Sequence, residues 1–107
     1  MHRRLEMLRS TLEEEGVDAI VVASAYNRRY LSGFTGSAGA LAIGKESAHL
    51  LTDFRYVEQA GRQAPAYQVV QVRDYNEVLK ELFQNIGARR IAFEQAHVTV
   101  KPHSQRQ

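Results

Sequence analysis

Apolar residues recur along this chain in two rhythms, one helical and one extended. Leu5, Leu8 and Leu12 fall on one helical face, so residues 3–15 predict an amphipathic helix that Gly16 stops. Glu13, Glu14 and Glu15 oppose the dipole at its end and favour fraying. Residues 18–23 (DAIVVA) form a short apolar run rich in β-branched side chains, which predicts a buried strand with neighbours on both sides. Residues 26–31 (YNRRYL) have neither rhythm and predict a loop with one helical turn, followed by the turn-rich SGFTGSAG.

Residues 40–43 and 48–51 predict two strands joined by Gly44-Lys45-Glu46-Ser47, a connection suited to an antiparallel hairpin. Thr52 or Asp53 can cap a helix running to about residue 64, with Tyr56, Val57 and Ala60 inward and Pro65 beyond its end. Residues 67–72 predict a strand. Asp74, with Glu77 three positions on, opens a helix whose apolar face is Val78, Leu79, Leu82, Phe83 and Ile86 and which Gly87 ends. Residues 90–93 predict the last strand. Helices interleaved with strands, one pair of them a hairpin, predict an α/β fold: a mixed sheet flanked by helices on both sides.

The length of 107 residues suits one domain and not two, and 44% apolar composition is enough for a core. The domain boundary falls near residue 100, leaving 101–107 (KPHSQRQ) as a polar tail or truncated linker. The net charge is +2, and the pairs Arg3-Arg4, Arg28-Arg29 and Arg89-Arg90 are dispersed. They read as solvated arginines, and nucleic acid is not an expected partner, because its footprint is a denser basic patch with interleaved aromatics. The chain has no cysteine, which excludes disulfides and cysteine-based zinc sites and fits a cytoplasmic protein. No run approaches the ~20 apolar residues of a membrane span, and the N-terminus lacks the apolar core of a signal peptide. A membrane partner is therefore not expected.

Four groups of residues are candidates for chemistry. Gly33, Gly36 and Gly39 could cradle a phosphate through backbone N–H groups, but no G-K-[ST] follows and the loop leads into a strand, so a tight turn is the better reading. Asp18, Asp53, Glu58, Asp74 and Glu94 are candidates for a nuclease-type two-metal site. Only Glu94 ends a strand, and the acids do not converge in sequence. His2, His49, His97 and His103 show no H-E-x-x-H spacing, and Ser24, Ser32 and Ser37 lie in no G-x-S-x-G elbow. Asp53 reads as a helix cap and Tyr56 as core.

Three blocks occur in order: N-R-R-Y-L-S-G-F-T-G-S-A-G from Asn27, A-H-L-L-T-D-F-R-Y-x-E-Q-A from Ala48, and R-I-A-F-E from Arg90, with H-V-T beyond. Together they resemble the N-terminal, non-catalytic domain of the creatinase, prolidase and Xaa-Pro aminopeptidase family, in its Xaa-Pro peptidase branch, from about Leu5 to about Thr99. The resemblance implies a ribonuclease-H-like domain without nuclease activity. In that family a C-terminal "pita-bread" domain carries two divalent metal ions (manganese, cobalt or zinc) on two Asp, one His and two Glu. The metals activate the water that attacks the bond before proline.

None of those ligands maps onto this chain, so catalytic residues, metal ligands and a resident cofactor are not expected in it. The resemblance implies a role in dimer or tetramer contacts and in narrowing the entrance for proline-containing peptides. Phe34, Thr35, Gly36 and Ser37 match the entrance-facing loop; Phe34 would supply apolar contact and Arg55 would bind a peptide carboxylate in bidentate fashion. Family members continue well beyond the R-I-A-F-E strand, so the expectation is one domain of a longer polypeptide, with apolar surface exposed where a partner domain docks. The alternative from another class is a stand-alone binding or assembly module.

Overall fold

The computed structural model describes residues 2–94. The expected tail at 101–107, the boundary near residue 100, and His97 and His103 lie outside the described residues. The elements are α1 (His2–Glu15), β1 (Ala19–Val22), α2 (Ala25–Ser32), β2 (Ala40–Gly44), β3 (Ala48–Thr52), a 3-10 turn (Phe54–Tyr56), α3 (Val57–Gln63), β4 (Gln68–Gln71), α4 (Tyr75–Ile86) and β5 (Ile91–Phe93). The five strands form one sheet in the order β4-β3-β2-β1-β5. β2 runs antiparallel to β1 and β3, while β1 pairs parallel with β5 and β3 parallel with β4. Four strands therefore share a direction, and the loops that leave their carboxyl ends gather along one edge.

Alternating side chains divide the core between the two faces of the sheet. Val22, Leu41, Ile43 and Leu50 meet Leu5 and Leu8 of α1, Leu31 of α2 and Ala60 of α3. Ala19, Val21, Ala42 and Leu51 meet Leu79 and Phe83 of α4 on the other face. Both faces of β2 are covered, which is why it is buried along its whole length. The expected mixed sheet with helices on both sides is the observed architecture.

Two local expectations need correction. Residues 26–31 are not a loop with a single turn but most of α2, an eight-residue helix. The Ser24 side chain accepts from the Asn27 amide at its start, and Gly33 closes it at φ 85° with its N–H on the Arg29 carbonyl. Its inward face carries Asn27, Arg28 and Ser32 beside Leu31, so apolar periodicity could not reveal it. The second correction concerns the helix after Asp53. It begins as a 3-10 turn capped by the Asp53 side chain, which accepts from the Arg55 amide, and becomes α-helical only at Val57.

Candidate functional site

The glycine-rich loop, residues 33–39, crosses the carboxyl-end edge of the sheet between α2 and β2. Side-chain donors hold it from below. Arg28 Nη2 donates to the Gly36 carbonyl at 2.9 Å, and Arg28 Nη1 donates to the carbonyls of Gly39 at 3.1 Å and Ala23 at 2.6 Å. Thr52 Oγ1 donates to the Ala38 carbonyl at 2.6 Å. On the outer side, the Ser37 and Tyr56 hydroxyls lie 2.6 Å apart, and the Thr35 amide donates to Gln63 Oε1 at 2.9 Å. The loop is thus fastened both to the sheet and to the 3-10 turn and α3. The carbonyls of Gly36, Ala38 and Gly39 are spent on internal donors.

Arg28 overturns its expected role as a solvated arginine. It is 5% exposed, and its Nε has no hydrogen-bond partner. Burial lowers its pKa, with smaller opposing effects from Tyr75 and Glu94. Three carbonyl dipoles replace the water it has lost.

Phe34 is 1% exposed and belongs to the core, edge-on to Tyr56. Its ring gives the loop an anchor and faces no solvent in this domain, contrary to a role in apolar surface contact. Gly36 is buried against that ring: a Cβ there would stand 2.2 Å from Phe34 Cζ. Thr35 and Ser37 are the exposed members of the expected set. Arg55 is exposed, but Asp53 already occupies its fork, with Nε 3.2 Å from Oδ1 and Nη2 2.7 Å from Oδ2. The hydrogen bond from Arg55 is the main cause that lowers the Asp53 pKa, and the same pair raises that of Arg55. Asp53 is the expected cap, while Tyr56 is half-buried against the core rather than within it.

The acids form no metal-binding group among the described residues, and Asp18, Asp53, Asp74 and Glu94 each have a local task. Asp18 Oδ2 accepts from the amides of Arg89 and Arg90, bonds that lower its pKa. Asp74 caps α4 by accepting from the Glu77 amide. Glu94 ties two elements together in a way its sequence position does not reveal. One carboxylate oxygen accepts from the amides of Ala23 and Ser24 at 2.8 Å, and the other from the Ser24 hydroxyl and Asn27 Nδ2. It thereby joins the end of β5 to the start of α2. Among the described residues no group of three or more His, Asp or Glu could hold a metal ion, so the family's two metals do not fit this part of the chain.

No helix among the described residues is long and apolar enough to cross a membrane. Residues 4–107 match the family model of the creatinase/prolidase N-terminal domain. An uncharacterized peptidase, YqhT, of Bacillus subtilis is 35% identical over 97 residues, covering 90% of this chain and 28% of that protein. An Xaa-Pro dipeptidase from Bacillus anthracis superposes with a TM-score of 0.82 at 40% identity, covering 92% of this chain and 28% of that one. The N-terminal domain of the cytoplasmic peptidase PepQ from Mycobacterium tuberculosis H37Rv gives a TM-score of 0.81 at 37% identity, over 92% of this chain and 77% of that one. The chain spans little more than a quarter of the full-length relatives and most of a relative solved as a separate domain. By the extent of the match and the shared fold, it belongs to the creatinase/prolidase N-terminal domain family.

Proposed function

We propose that this chain is the non-catalytic N-terminal domain of a metal-dependent Xaa-Pro peptidase of the aminopeptidase P or prolidase type, acting in the cytoplasm. The carrying observation is the match over residues 4–107 to this N-terminal domain, together with alignments that cover nearly all of this chain and only 28% of each full-length relative. In this reading the two divalent metals, manganese, cobalt or zinc, are held by a C-terminal catalytic domain. The N-terminal domain contributes to dimer or tetramer contacts and narrows the entrance to short proline-containing peptides. The exposed surface of the loop at Thr35 and Ser37, backed by Gly36 and seated on Phe34, faces that entrance, with Arg55 at its margin.

The test is a domain exchange. The chain alone and a chimera placing it before the catalytic part of the Bacillus anthracis dipeptidase are assayed on Xaa-Pro peptides with manganese. The expected result is no cleavage by the chain and metal-dependent cleavage by the chimera, with KM altered by substitutions at Thr35 or Ser37. Cleavage by the chain alone overturns the reading. So does a folded, oligomeric chimera that takes up metal and cannot cleave.

A further inference from the structure

We draw no further inference here: the strongest candidate, the groove between α1 and α2 lined by Arg4, Met7, Leu8, Tyr26, Tyr30 and Leu31, is an unpartnered surface, and nothing in the structure of the described residues shows what covers it.

Discussion

Arg28 Nη2 lies 2.9 Å from the Gly36 carbonyl, in a part of the fold that water does not reach. That bond and its partners to Gly39 and Ala23 turn a flexible sequence into a fixed one. Arg28→Met would keep the aliphatic stem and leave three carbonyls short of a donor. The buried Gly36 acceptor so stranded costs about 1–3 kcal/mol before relaxation, and the part-buried Ala23 and Gly39 carbonyls, which water can reach, cost less. A net loss of roughly 2–4 kcal/mol in urea unfolding is expected, with amide exchange in residues 34–39 accelerating beyond what the global change explains. Loss of stability without preferential loop exchange would remove Arg28 from its role as a strut.

Gly36 and Gly61 make a matched pair with opposite outcomes. A methyl at Gly36 collides with the Phe34 ring at 2.2 Å, and that ring is locked in the core. Gly36→Ala should destabilise by about 1–3 kcal/mol through overpacking. Gly61 lies inside α3, and a methyl added there would meet nothing within 4 Å, so Gly61→Ala should stabilise by about 0.5–1 kcal/mol through helix propensity. Thermal unfolding of both variants checks the contrast. Equal effects would mean that the ring moves aside freely.

Glu94 acts as a clamp whose four donors lie 67–71 residues away in sequence. Glu94→Gln puts an amide nitrogen where the Ser24 hydroxyl and Asn27 Nδ2 now donate, or turns it toward the two backbone amides. A loss of about 1–3 kcal/mol is expected, because hydrogen bonds to a charged acceptor are the stronger kind. The exchange rates of Ala23, Ser24 and the first turn of α2 should rise most. A change confined to β5 would show that the clamp does not hold α2.

The elements were legible where burial and apolar pattern agree. Ala19–Val22 and the β2–β3 hairpin read as strands because their runs are continuous and their turn contains Gly44. α2 was hidden because a guanidinium and an amide occupy its inward face, and only Ser24 and Gly33 marked its ends. The same cause hid Arg28: an arginine pair in sequence gives no sign that one member turns toward carbonyls of a loop eight to eleven residues on. The loop itself stood out from its glycines, but the direction of its peptides was not legible. It depends on Thr52 and Arg28, which approach from different elements. Phe34 looked available for contact because nothing in the sequence shows that the missing side chain of Gly36 makes room for its ring.

His49 should make stability fall on mild acidification. It pairs with Ala42 on the α4 side of the sheet, half-buried, and burial lowers its pKa below the ordinary 6.5. The unfolded chain then binds a proton that the folded chain refuses. The stabilisation is complete above about pH 6.5 and is lost as the pH falls through the lowered folded value. Asp18 and Asp53 are also lowered, but from 3.8, so their contributions persist until the medium is far more acidic. A comparison of urea midpoints at about pH 7.5 and about pH 5 therefore reads the histidine with little carboxylate contribution. Wild type should lose stability over this interval, and His49→Leu should lose much less. An equal drop in both proteins would assign the acid sensitivity to another group.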